Sequence, residues 1–190
     1  MDIETALWHR RSVRDYDSRP VDQATLQHLI DAAIQAPSAV NEQPWTFLVV
    51  RDAALLDRLS RDAKTQVLAN LSDEVPSGNT SERFHQILSD PTFQIFYHAP
   101  VLIVIAAQAR GSWVTEDCAM AAQNLMLDAC SRGLGSCWIG FAQRYLNTPA
   151  GKQALGIPDT WVTVAPIIVG HPRTTPAAVP RRTPTIRWID

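Results

Sequence analysis

The sequence predicts a single α+β domain with about four strands and a helical layer. Three observations carry that prediction. Apolar runs at 45–50, 100–107 and 161–169, each bounded by turn residues, read as buried strands. The stretches between them place apolar residues at helical spacing behind capping residues. A chain of 190 residues, 46% hydrophobic and 19% charged, supports one globular core and is short for two.

Asp2 stands where it caps a first helix carrying Ile3, Ala6 and Leu7 on one face. An arginine-rich turn follows, and Arg19-Pro20 disfavours helix. Asp22 caps a second helix, whose Leu26, Leu29, Ile30, Ala33 and Ile34 fit an i, i+3, i+4, i+7, i+8 stripe. Pro37 ends it, and 38–44 is a polar loop entering the first strand. Helix is expected over 53–70, loop over 72–81 from its Ser, Pro, Gly and Asn, and a short helix over 82–88. After the strand at 100–107, Ser112 is a candidate cap for a long helix through Cys130, with Gly133 as its stop. Residues 135–139 read as a short strand or turn, and 149–155 as one or two helical turns. From 171 onward Pro172, Pro176, Pro180 and Pro184 forbid a helix of any length. That segment is expected to run extended along its own surface or a partner's. With no internal repeat and no interior linker, 1–190 is one domain and 171–190 its C-terminal arm.

Composition excludes several functions. A net charge of −2 gives no general reason to expect nucleic acid or an anionic membrane as partner. The longest apolar stretch, 99–107, is far below the roughly 20 residues that span a bilayer. No charged segment followed by an apolar run opens the chain, so no signal peptide is read. Cys118, Cys130 and Cys137 form no C-x-x-C pair and are odd in number. That argues against a disulfide framework or a zinc site, and for reduced thiols in a cytoplasmic protein.

Four segments are candidates for chemistry. Arg10, Arg11, Ser12 and Arg14 offer guanidinium groups and a hydroxyl within five positions, which suits a phosphate. On spacing alone they read more readily as an exposed basic turn pairing with Asp15, Asp17 or Glu4. In 36–45, Asn41 and Gln43 carry donors and acceptors able to read the edge of a heterocycle, or simply to cap a loop. The run from Gly133 to Gly140 has three glycines in eight positions. Glycine lets backbone approach a flat ligand. The spacing is not that of a dinucleotide-binding fingerprint, and no helix is expected directly after it. Arg181 and Arg182 lie in the arm, either closing over a phosphate or simply solvated.

Taken in order, these segments resemble the nitroreductase family of FMN enzymes. The motifs are R-R-S-V-R at 10–14, P-S-x-x-N-x-Q-P-W at 37–45, F-Y-x-A-P-V-L-I-V-I at 96–105, G-L-G-S-C-W-I-G at 133–140, then V-G-x-P at 169–172 and the basic arm. The resemblance covers nearly the whole chain. It implies an α/β/α sandwich with a mainly antiparallel sheet, assembled as an intertwined homodimer with two FMN molecules in the interface. It also implies that the arm of one chain extends over the other and adds an edge strand.

By position, Arg10, Arg11, Ser12 and Arg14 are expected at the FMN phosphate or ribityl region, with Arg181 and Arg182 completing the phosphate site. Pro37, Ser38 and Ala39 are expected against the ring of the cofactor held mainly by the other chain. Asn41 and Gln43 fall near the flavin, and Ile139 and Gly140 offer backbone groups to its reactive edge. The lysine and asparagine that some relatives place near the cofactor have no clear match, Lys64 and Asn70 being the candidates. The brief, polar segment 71–88 departs from larger members, where this region helps cover the substrate face.

The implied chemistry is hydride transfer from NADH or NADPH through FMN to a nitroaromatic, a quinone or a similar flat small-molecule acceptor, in a ping-pong cycle. That chemistry requires no acidic or basic side chain for the hydride step, so no catalytic residue is named. A reductase dedicated to one metabolite and a non-catalytic FMN-binding protein are the competing readings.

Overall fold

The computed structural model of the chain describes residues 1–71, 79–108 and 111–190. Its elements are α1 (Ile3–His9), α2 (Gln23–Ala33), β1 (Trp45–Val50), α3 (Ala53–Ala69), α4 (Asn79–Ser89), β2 (Val101–Gln108), α5 (Val114–Ser131), β3 (Gly135–Trp138), α6 (Gly140–Leu146), α7 (Pro149–Leu155) and β4 (Trp161–Gly170). The four strands form one sheet in the order β1-β2-β4-β3, and every neighbouring pair is antiparallel.

The sheet is covered on both faces, which is why its central strands read as continuous apolar runs. Alternate residues of β2 serve two cores. Leu102 and Val104 pack with Leu56, Leu59 and Ala63 of α3 and with Ala142 and Leu146 of α6. Val101, Ile103 and Ile105 pack with Leu26 and Leu29 of α2 and with Ala121, Ala122 and Leu125 of α5. This is the expected helix–sheet–helix sandwich. The β2–β4 register shifts between Ile105 and Ala106, leaving Val164 as the extra residue. Beside the bulge, the Asn147 side chain donates to the Thr163 carbonyl at 2.8 Å and accepts from its N–H at 2.9 Å.

Helix starts follow the sequence where a carboxylate is placed to cap. Asp2 accepts from the Thr5 N–H at 2.7 Å and Asp22 from the Thr25 N–H at 2.9 Å. Ser112 does not cap α5: Trp113 occupies the cap position and no side chain bonds there. Gly133, at φ 73°, ends α5 as expected, with the Leu134 N–H reaching back to the Ala129 carbonyl at 2.9 Å. A helix opens immediately after the glycine run, against expectation. Ala142, Tyr145 and Leu146 of α6 are buried, so packing overrides a weak local signal. The segment read as loop at 72–81 lies outside the described residues up to 78, and α4 begins at Asn79.

The residues after α1 do not hang in solvent. Ser12 pairs with Ser136 of the edge strand β3 as a parallel bridge, and the Val13 N–H donates to the Ser136 carbonyl at 3.1 Å. Tyr16 pairs with Pro172, and the Asp17 N–H donates to the His171 carbonyl at 3.0 Å. Residues 12–17 thus line the β3 side of the sheet as an irregular outer strand. From 173 onward the arm contains no helix or strand and is almost wholly exposed.

On α1 the periodicity is right but the burial is not: Ala6 is buried, while Ile3 and Leu7 face solvent. They join Trp8 (70% exposed), Val40 (90%), Trp113 and, on the arm, Ile186, Trp188 (83%) and Ile189 as large apolar side chains without cover. Scattered exposed apolar residues are ordinary, but bulky ones such as these leave apolar surface open to solvent.

Candidate functional site

Arg10 and Arg14 have no carboxylate partner, although Asp15 and Asp17 stand close by in sequence. Asp17 is taken by Arg19 at 2.7 Å and Asp15 by Arg173 at 3.3 Å. Among the described residues, neither Arg10 nor Arg14 forms an ion pair, and Glu4 pairs with neither. Arg14 is exposed and Arg10 half-buried, so the turn is not the ion-paired one that the alternative described. Arg11 behaves differently. Its Nη1 donates to the Trp8 carbonyl at 2.7 Å and the Arg10 carbonyl at 2.8 Å, so it caps the C-terminus of α1.

Arg14 stands at the wall of a cavity of about 480 Å³. Phe84, Tyr97, Trp138 and Phe141 make its sides aromatic, and Ile139 and Gly140 form its floor at the start of α6. Phe84 and Phe141 meet edge to face with centroids 5.2 Å apart. Helix α6 has no side-chain cap, and its first N–H groups have no intrahelical partner. A Cβ placed on Gly140 would meet nothing within 4 Å, so packing does not demand glycine there. An unencumbered backbone at an uncapped helix start, inside an aromatic cavity, suits a flat ligand with hydrogen-bonding edges.

Cys137 lies on the same face. Burial pushes its thiol pKa up, while Arg14, a hydrogen bond from Ser12, and Arg10 pull it back. Ser12 and Arg14 therefore both reach the Cys137 thiol, and Arg10 acts on it through charge alone. A second, smaller cavity of about 240 Å³ runs behind β3, lined by Arg10, Arg11, Ser136 and Pro172 among others. The Ser136 hydroxyl is buried without a partner.

The loop at 37–45 is highly contorted but lies elsewhere. Val40, Asn41 and Gln43 all have positive φ (46°, 59° and 49°), a region that side-chain-bearing residues seldom enter. The Ser38 hydroxyl accepts from the Gln43 N–H at 2.9 Å, and the Gln43 amide donates to Asn41 Oδ1 at 3.1 Å. The loop is tethered to α5 by Asp117, whose buried Oδ1 accepts from the Ala39 N–H at 3.0 Å. None of the cavities bordered by Arg10 or Arg14 includes Pro37, Ser38, Ala39, Asn41 or Gln43, nor Arg181 or Arg182. Within one chain the structure brings Arg14, Ile139 and Gly140 to one cavity and Arg10 and Arg11 to the other, pairs Ser12 with Ser136 of β3, and leaves the other candidates apart.

Lys64 and Asn70 are not cavity residues. The Lys64 ammonium donates to the Asp90 and Phe93 carbonyls, and Asn70 bonds to the Gln66 carbonyl of its own helix. Sequence reasoning missed Phe84, Tyr97, Trp138 and Phe141 as cavity walls. The one available signal was the aromatic pair Phe96-Tyr97 before a buried strand.

An antiparallel sheet between two helical layers, with its candidate site where an arginine turn meets the edge strand, defines an α+β sandwich protein. The nitroreductase family profile matches residues 7–171, and the chain belongs to that family. A protein of Archaeoglobus fulgidus, provisionally named NADH dehydrogenase/NAD(P)H nitroreductase, is 32% identical over 88% of this chain and 83% of its own length. The 5,6-dimethylbenzimidazole synthase of Rhodospirillum rubrum is 27% identical over 90% and 82%. Among solved structures, a nitroreductase with bound FMN from Bacteroides fragilis superposes with a TM-score of 0.80 at 26% identity, covering all of both chains.

Proposed function

We propose that this protein is an FMN-dependent oxidoreductase that takes hydride from NADH or NADPH and passes it to a flat acceptor such as a nitroaromatic or quinone, by a ping-pong cycle. The observation that carries the reading is Arg14, without a carboxylate at the wall of an aromatic-walled cavity, with Arg10 likewise unpaired at the smaller cavity behind β3. The residues present fit FMN: uncompensated guanidinium groups for a phosphate, aromatic walls for a ring, and free backbone at Gly140 for the ring's polar edge.

FMN, when bound, supplies the two-electron chemistry. The chain's own work is to bind and orient. Arg10, Ser12 and Arg14 hold the phosphate and ribityl end, and the Gly140 N–H addresses the reactive edge, the Ile139 N–H being taken by the Pro166 carbonyl at 2.8 Å. Phe84, Trp138 and Phe141 exclude water from the ring. No side chain is assigned a proton-transfer step.

The proposal includes a homodimer. Pro37, Ser38, Ala39, Asn41, Gln43, Arg181 and Arg182 lie away from Arg10 and Arg14 within one chain, so their places at an FMN are those of a partner's site. The exposed Trp8, Trp113 and Trp188 supply apolar surface for such an interface. Chains truncated after His171 are expected to elute as monomers and to lose flavin. A truncated chain that remained a flavin-loaded dimer counts against the arm.

Stopped-flow mixing of the purified yellow protein with NADH and with NADPH tests the redox reading. Bleaching by either nucleotide, followed by recolouring with a quinone or nitroaromatic, is the expected result. Colour that neither nucleotide removes overturns it in favour of flavin storage. The relation to 5,6-dimethylbenzimidazole synthase supports a second reading, a reductase dedicated to one metabolite. Bleaching with no recolouring across a panel of simple acceptors favours that reading.

A further inference from the structure

Between α4 and β2 the chain makes a second contorted turn, like the one at 40–43. Tyr97 and His98 both have positive φ, 52° and 54°, and a bulky residue in that region is a genuine outlier. The turn is braced from several directions. The Gln94 Oε1 accepts from the Phe96 N–H at 2.8 Å and the His98 N–H at 3.3 Å. The Gln94 amide donates to Asp57 at 3.1 Å, and the buried Ser60 hydroxyl accepts from the Ile95 N–H at 3.0 Å. Lys64 pins the Asp90 and Phe93 carbonyls, and Phe93 meets the Tyr97 ring edge to face at 5.5 Å.

All this bracing fixes one side chain. Tyr97 divides the aromatic cavity from a second, more polar cavity of about 490 Å³, and Arg14 lines both. Burial raises the Tyr97 pKa and Arg14 only partly offsets it, so the phenol is neutral and a hydrogen-bond donor. An isoalloxazine ring offers carbonyl and ring-nitrogen acceptors along one edge. On the wall of the aromatic cavity, Arg14 and Tyr97 set two donors side by side.

We propose that Tyr97 is a further ligand-contacting residue of this site, its hydroxyl donating a hydrogen bond to the flavin ring carbonyl nearest the ribityl chain, beside Arg14 at the ribityl end. The inference rests on the FMN reading above.

Apoprotein titrated with FMN, followed by quenching of flavin fluorescence, tests it. Tyr97→Phe keeps the ring and its packing on Phe93, and removes only the hydroxyl. Its FMN dissociation constant is expected to rise roughly three- to tenfold at an unchanged melting temperature. Tyr97→Asn, which tolerates the left-handed backbone, is expected to weaken FMN at least as much. Unchanged FMN affinity in both variants overturns the proposal. Unchanged affinity with a raised acceptor KM also overturns it, moving the hydroxyl's partner from flavin to acceptor. Wild-type apoprotein that fails to bind FMN overturns the parent reading, a failure distinct from either.

Discussion

Arg10→Ala combined with Arg14→Ala is expected to give a folded protein that leaves purification colourless. Each charged hydrogen bond to a phosphate is worth about 1.5–3 kcal/mol. Losing two removes roughly 3–6 kcal/mol, a hundredfold to more than ten-thousandfold in affinity. Stability is expected to stay within about 0.5 kcal/mol, because neither guanidinium holds an ion pair. Arg11→Ala is the informative control. Arg11 is turned onto the carbonyls of Trp8 and Arg10, so its loss is expected to lower the melting temperature and leave the flavin in place. The ratio of visible to ultraviolet absorbance reads the first outcome and thermal unfolding the second. A double variant with full flavin occupancy removes the phosphate site from residues 10–14.

The strands and most helix starts were legible because their signals are local. Three long apolar runs became β1, β2 and β4, and Asp2 and Asp22 cap by the bonds their positions suggest. Helix α6 was not legible. It opens on Gly140 with no side-chain cap, and is held by burial of Ala142, Tyr145 and Leu146 against distant elements. Ile3 and Leu7 show the converse: their helical spacing is real, but the surface they would cover is not in the chain.

The site divides in the same way. Ser12 and Arg14 are close in sequence and meet at Cys137, while Arg10 lines the cavity behind β3. Tyr97 reaches the cavity through a conformation imposed by Gln94, Ser60 and Lys64, and no spacing rule anticipates that. The left-handed residues Val40, Asn41 and Gln43 likewise depend on Ser38 and, from α5, on Asp117. Contortion of this kind, stored in two loops and braced from neighbouring helices, is the pattern of a surface shaped for binding.

Gly135→Ala is expected to destabilise the protein by about 1–3 kcal/mol and to weaken flavin retention at the same time. A Cβ at 135 would stand 2.8 Å from both Cβ and Cγ1 of Val13 and 2.9 Å from Cγ2. Val13 has little room to yield. It is β-branched and buried, its N–H bonds to Ser136, and its carbonyl accepts from the Tyr16 hydroxyl at 2.8 Å. The methyl must therefore push the whole outer strand, with Arg10, Ser12 and Arg14 on it, off β3. At this chain length the loss corresponds to roughly 2–4 °C in melting temperature per kcal/mol. Gly140→Ala, five residues along the same motif, separates packing from binding. Its methyl meets nothing within 4 Å, and alanine is the better helix residue, so stability is expected to hold or rise. That methyl lies at the cavity floor, where a bound ring needs the space, and flavin affinity is expected to fall. Melting temperatures measured with and without added FMN distinguish the two: Gly135→Ala lowers both, whereas Gly140→Ala lowers only the increment due to flavin. An unchanged flavin increment in Gly140→Ala would move the ring away from α6, and an unchanged melting temperature in Gly135→Ala would mean the arginine turn is not held by its fit against β3.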